Sequence, residues 1–173
     1  FDKRKNIELS VRAFKVFIAQ PGKEDYKLVL AGSKGVTMFH DSYDRVEKQI
    51  INLSIQERVI MPGFVTKETL ITLYYNAFAY VFPSLEEGFG IPTLEAMNAG
   101  VPVIVSDQEA LVEVSGGAAL VFKRHDESDL VEKMNMIEND ALRTDMIKRG
   151  NQRVGYFSRR NFVDQVVKSI SKV

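Results

Sequence analysis

Two carboxylates eight positions apart, Glu87 and Glu95, flank Gly-Phe-Gly-Ile-Pro in the stretch "SLEEGFGIPTLEAMNAGVPVIVSD". Gly88 and Gly90 can take backbone angles closed to other residues, so a turn here can present bare N–H groups to a ligand. A helix beginning near Pro92 adds free N–H groups and the positive end of its dipole at the same point. Together they make an anion site suited to a diphosphate. Two acids beside an anion would repel it unless they accept hydrogen bonds from neutral hydroxyl groups. A nucleotide sugar carries such hydroxyls on both sides of its diphosphate, in the ribose and in the hexose. Lys5, in "DKRKN", is the cation expected opposite, at a junction of strand and helix.

Each of these residues also has a plainer reading. Any strand-to-helix turn can contain glycine, and Glu95, expected in the first turn of its helix, would be favoured by the dipole alone. Glu86 and Glu87 suit a solvated loop, and Lys5 a solvated surface. The dinucleotide fingerprint G-x-G-x-x-G lacks its third glycine and no Walker A sequence occurs, which disfavours nicotinamide cofactors and P-loop nucleotides. A phosphotransfer receiver would need an acidic pair beside a phosphoacceptor aspartate, company that Asp107 lacks. A non-catalytic Rossmann-like module serving assembly or regulation is the alternative to a donor-binding domain.

The elements that must position these residues follow from periodicity. Asn6 is the expected N-cap of an amphipathic helix over residues 6–20, with Ile7, Val11, Phe14 and Ile18 at helical spacing. "YKLVLAG", "RVIMPG", "AYVFPS", "VPVIVSD" and "AALVF" read as short strands, the first two in the form of strands buried on both faces. Between and after them come helices carrying Val46, Ile50 and Leu53, a helix capped at Thr66, one opening near Pro92 and stopped at Gly100, and one with Leu130, Met134 and Ile137. Two more stretches, Ala141 to Gly150 and Ser158 to Val173, read as helical. Alternation of this kind predicts an α/β fold, a Rossmann-like doubly wound parallel sheet with helices on both faces, with a sixth strand expected upstream of Phe1. In such sheets the ligand crevice lies beyond the carboxyl ends of the strands. Gly32 to Gly35, Pro62 to Val65, Ser84 to Gly90 and Ser106 to Ala110 all fall there.

Composition narrows the function classes. With 23 basic and 23 acidic residues, the net charge of zero points to no nucleic acid. No cysteine and two isolated histidines, His40 and His125, leave no thiolate or histidine metal site, so neither metal nor cofactor is expected. No apolar run approaches the roughly 20 residues of a membrane span. The first residues read as the middle of a motif, and the chain is expected to be a fragment of a larger protein.

"EGFGIPTLEAMNAGVPVIVSD" resembles the E-x7-E signature of the retaining family 4 glycosyltransferases (glycosyl transferases group 1) with the GT-B fold, and the likeness spans nearly the whole chain. "RKNIELSVRAF", "YKLVLAG", "RVIMPGFVTKETLITLYYNAFAYVFPS" and "ALVEVSGGAALVF" resemble the family's flanking segments in order and spacing. The resemblance implies the C-terminal, donor-binding half of a two-domain enzyme that transfers a hexose from a nucleotide sugar with retention. It implies a saccharide or lipid-linked acceptor held by an N-terminal domain that precedes these residues. Glu87 would then lie near the hydroxyls of the transferred sugar and Glu95 would hold the ribose. Lys5 would neutralise the diphosphate, met by the amides around Phe89, Gly90 and Ile91 at the helix start with Pro92 and Thr93. Gly63, Phe64 and Val65 would contact the base. "ALVEVSGGAALVF" resembles mannosyltransferases of surface polysaccharide synthesis more than glycogen synthases or sucrose enzymes. The implied location is cytoplasmic, peripheral to the inner face of a membrane in the full-length protein. Three departures stand out: the family's usual arginine would fall upstream of Phe1, Val112 stands where many relatives have proline in the loop after the fourth strand, and Arg159 where tryptophan is common.

Overall fold

The computed structural model describes residues 1–33 and 42–157. Elements alternate from α1 (Ile7–Ile18) through β1 (Leu28–Ala31), α2 (Tyr43–Asn52), β2 (Val59–Gly63), α3 (Lys67–Asn76) and β3 (Tyr80–Phe82). They continue with α4 (Ile91–Asn98), β4 (Val103–Ser106), α5 (Glu109–Ser115), β5 (Leu120–Phe122), α6 (Glu127–Met136) and α7 (Asp140–Tyr156). All strand pairs are parallel. β1 pairs with β2, Leu28 opposite Val59, and β3-β4-β5 form a second sheet, Val81 opposite Ile104 and Val105 opposite Val121.

Alternation along β4 explains the layering. Successive side chains of a strand point to opposite faces. Ile104 joins Leu30, Phe122, Leu9, Phe14, Val46 and Leu130 in the core under α1, α2 and α6. Its neighbours Val103 and Val105 join Phe82, Ala96, Met97 and Leu111 under α4 and α5. Helices therefore cover both faces, and a single core reaches from β1 to β5, beneath both sheets.

The expectation of strands buried on both faces fails for β1 and β2, whereas every residue of β4 is buried. Val29 is 39% and Ile60, its partner across the pair, 48% exposed, so one face of β1 and β2 is not covered by the described residues. Asn6 sits at the N-cap position of α1 but caps nothing with its side chain; its backbone is left-handed and its amide reaches Arg124 instead. A helix, α5, occupies residues read as loop, so Val112 is helical and its N–H donates to the Gln108 carbonyl, a bond proline would forfeit. The helix expected to end at Gly150 runs on to Tyr156. A Cβ at Gly150 would lie 3.2 Å from Met97 Cγ, so this glycine lets α7 press on α4. The expected helix over Ser158–Val173, with Arg159, and the crevice residues Lys34 and Gly35 lie outside the described residues.

Candidate functional site

The site begins at a 3₁₀ turn, Lys3–Lys5, capped by Asp2, which accepts a hydrogen bond from Arg4 N at 2.9 Å. Arg4 turns its guanidinium back onto Asp2, while its carbonyl accepts hydrogen bonds from Leu85 N at 2.7 Å and Ser84 Oγ at 3.0 Å. That backbone splice brings Lys5 to the loop after β3. There Lys5 Nζ forms an ion pair with Glu87 Oε1, which also lies 2.8 Å from the buried Ser84 Oγ. The Glu87 side chain is 14% exposed. It is therefore no solvated loop acid, unlike exposed Glu86, and Lys5 is no free surface charge.

Of the two signature glycines, Gly90 takes the left-handed conformation, φ +91°, and Gly88 does not. Gly90 is the N-cap of α4, and a Cβ there would lie 2.5 Å from Leu111 Cδ2. Pro92 occupies the first turn, as its fixed φ and missing N–H favour. Thr93 is fully buried with no hydrogen-bond partner for Oγ1, while Phe89 and Ile91 are exposed at the helix mouth. Phe89 also meets Phe157, just past α7, edge to face at 5.6 Å. Glu95 falls in the second turn of α4 rather than the first, since the helix opens at Ile91, and the dipole at the N-terminus does not explain it. It is exposed and accepts a long hydrogen bond, 3.4 Å, from Tyr74 Oη. Burial and then the Glu95 charge push the Tyr74 phenol up to about 12, so it remains a donor at neutral pH.

The third group stands apart. Gly63 has φ +74°, its carbonyl accepts from Gly32 N at 2.9 Å, Phe64 is 82% exposed and Val65 is half-buried. Among the described residues no hydrogen bond or ring contact joins this loop to Glu87 or to the start of α4. The structure thus brings Lys5, Glu87 and the Gly90 turn together, with Glu95 one turn along α4 and the Gly63 loop separate.

The sequence reading passed over the side chains behind Glu87. Ser106 Oγ donates to the Ser84 carbonyl, and Gln108 Nε2 donates to the Glu87 carbonyl at 3.1 Å. Arg124, just past β5, pairs with Asp107 at 2.6 Å and reaches the Leu85 carbonyl at 3.3 Å. Their one sequence signal is position, each lying within two residues of a strand end. An open depression of about 660 Å³ is lined by Asp107, Lys123, Arg124, His125, Asp126 and Glu127, on the β5 side of this rim. Among the described residues no three His, Asp or Glu side chains gather as a metal site, and no helix is long and apolar enough to cross a membrane.

Residues 1–153 match the family described as glycosyl transferases group 1. The chain is 33% identical over 166 residues to the O-antigen chain mannosyltransferase B of Escherichia coli, covering 95% of this chain and 42% of that protein. Its backbone superposes on sucrose-phosphate synthase from Thermosynechococcus elongatus with a TM-score of 0.82 at 27% identity, over 99% of this chain and 43% of that one. Anabaena HepE, solved in complex with UDP-glucose, matches in fold at a TM-score of 0.79 and 20% identity, over 100% of this chain and 47% of its own.

Proposed function

The chain belongs to the glycosyl transferases group 1 family and has the Rossmann-like fold of one half of a GT-B enzyme, and from that premise we propose that it is the donor-binding domain of a retaining, family 4 hexosyltransferase. The observation that carries this reading is the meeting of Lys5 and Glu87, 82 residues apart in sequence, beside the left-handed Gly90 at the start of α4. A cation and the positive end of the α4 dipole suit a diphosphate, and a carboxylate beside them suits the sugar it carries. In this reading Glu95 holds the ribose hydroxyls, Phe89, Gly90, Ile91 and Pro92 line the diphosphate and sugar, and Gly63, Phe64 and Val65 contact the base, while Thr93, expected among the lining residues, is fully buried and supports the helix start from within. The UDP-glucose bound by HepE supports a nucleotide-sugar donor, and the mannosyltransferase of E. coli supports mannose as the hexose and a surface polysaccharide as the product.

Transfer would break the bond between the anomeric carbon and the diphosphate oxygen while the acceptor oxygen bonds to that carbon on the same face, its hydroxyl proton passing to the departing diphosphate. Negative charge grows on the leaving diphosphate, and Lys5 with the start of α4 opposes it there, so electrostatic stabilisation is the main contribution of this domain. Glu87 positions the sugar, and no metal or cofactor is assigned a part.

The chain spans 42% of the length of the E. coli relative, so the acceptor is assigned to a preceding N-terminal domain. The split sheet supports that assignment. Among the described residues β1 has only β2 as a neighbour and β3 only β4, and residues 1–5 touch the carboxyl ends of both: Phe1 N donates to the Ser33 carbonyl and Leu85 N to the Arg4 carbonyl.

Calorimetric titration with GDP, UDP, ADP, GDP-mannose and UDP-glucose tests the reading, with Glu95→Ala as control. The expected result is selective binding of one base, weakened about tenfold or more in the variant by loss of charge-assisted hydrogen bonds. A folded chain that binds none of them supports the non-catalytic module instead.

A further inference from the structure

Two side chains that the donor reading leaves without a role hold the Glu87 loop from behind. We propose that Arg124 and Gln108 are positioning residues for the sugar end of the donor site, acting on Glu87 through its backbone. The proposal rests on the donor-site reading and deepens it.

Arg124 spends its donors on fixed oxygens. Nε donates to Asp107 Oδ1 at 2.6 Å, Nη2 to the Asp107 carbonyl at 2.7 Å and Nη1 to the Leu85 carbonyl at 3.3 Å. Its backbone N–H donates to Asp107 Oδ1 at 3.2 Å, and its carbonyl accepts from Asn6 Nδ2 at 2.9 Å. One residue therefore joins the ends of β3, β4 and β5 to the turn that carries Lys5. The guanidinium is paired with Asp107 and directs Nε, Nη1 and Nη2 at protein oxygens, which makes it a brace. A planar fork is required for this, because a lysine ammonium lacks three donors spread in one plane.

Gln108 completes the hold. Its Oε1 accepts from Leu111 N at 3.1 Å and caps α5, while Nε2 donates to the Glu87 carbonyl at 3.1 Å. The loop is thus tied at two carbonyls, Leu85 and Glu87, on either side of exposed Glu86. Beyond Glu87 comes Gly88, around which a Cβ would meet nothing within 4 Å, so the space beside this glycine is open. The two ties fix where Glu87 leaves the backbone, and neither touches its carboxylate.

The consequence is selective. Glu95 and the start of α4 are built on a helix that these ties do not hold, so contacts to the nucleotide should survive when contacts to the sugar fail. The test is calorimetry on the wild type, Arg124→Lys, Arg124→Ala and Gln108→Ser, with UDP against UDP-glucose and GDP against GDP-mannose. Serine at 108 can still cap α5 but is too short to reach the Glu87 carbonyl. We expect each variant, Arg124→Lys included, to bind the nucleotide sugar about tenfold more weakly while its affinity for the matching diphosphate stays within about twofold. Equal losses for both ligands, or affinities unchanged in all three variants, overturn the positioning role while the donor reading stands. A wild type that is folded and binds neither ligand class overturns the donor reading and this proposal with it.

Discussion

At residue scale, Gly88 and Gly90 stand two positions apart and answer to different constraints. Gly90→Ala meets both a left-handed backbone and Leu111 Cδ2 at 2.5 Å. The expected cost is about 2–5 kcal/mol, from about 1–2 for the conformation and about 1–3 for overpacking. Gly88→Ala has neither obstacle and should stay within about 0.5 kcal/mol. Urea unfolding of the two variants separates them, and equal costs would contradict the assignment. Removing the other half of the ion pair, Lys5→Met, should weaken diphosphate binding about tenfold to a hundredfold, the worth of a charge-assisted hydrogen bond, as read by titration with the preferred nucleotide. Lys5 and Glu87 were expected at one edge of the crevice, and their ion pair joins them there, whereas Glu95 stands one turn along α4 beside Tyr74. The left-handed glycine and the turn that holds Glu95 were not legible, since both depend on which residue opens α4. Gln108 was placed in the crevice segment Ser106 to Ala110 without a role, and Arg124 fell in no motif, because the contacts by which they hold the Glu87 loop are to the Leu85 and Glu87 carbonyls, which every residue has.

At element scale, helices long enough to repeat their apolar positions were read correctly in kind, and errors sit where tertiary contact overrides a local signal. Glycine at 150 looked like a stop, yet Met97 of α4 occupies the space a side chain would need. Gly150→Leu is expected to destabilise by about 1–3 kcal/mol through overpacking, although an exposed helix position would gain from losing a glycine; thermal or urea unfolding decides. The α5 segment is seven residues long, too short for a clear period, and Gly116-Gly117 behind it hid the boundary. α6 supplies a pH test. The Lys123 N–H, donating to Asp129 Oδ2 at 2.9 Å, holds that carboxyl below its usual range against burial, and Lys133 adds to it. A depressed carboxyl contributes stability that is present above its unfolded pKa of about 4 and lost as pH falls through the lower folded value. Asp129→Asn should therefore flatten the acid side of the stability profile below about pH 4 while the neutral side shifts uniformly, as measured by urea midpoints across pH.

At the scale of the whole molecule, five parallel strands and the alternating helices were legible, whereas the division into two sheets was not, because strand order is a matter of pairing between distant segments. One core nevertheless underlies both sheets, joining Leu30 of β1 to Ile104 of β4 and Phe122 of β5. Both should melt together: far-UV circular dichroism and the fluorescence of the six tyrosines, in a chain without tryptophan, are expected to report one coincident transition, and two separate ones would mean that the sheets fold independently. The inner sides of β1 and β3 carry a different implication, for colloidal behaviour. Strand edges without a neighbour are templates for another chain, and here they belong to a molecule whose formal net charge is zero at pH 7, with an isoelectric point near 7.0. Nothing electrostatic keeps two copies apart at neutral pH. Concentrated solutions should therefore scatter most light near pH 7 and clear on either side of it, or on adding a strand that fills the gap.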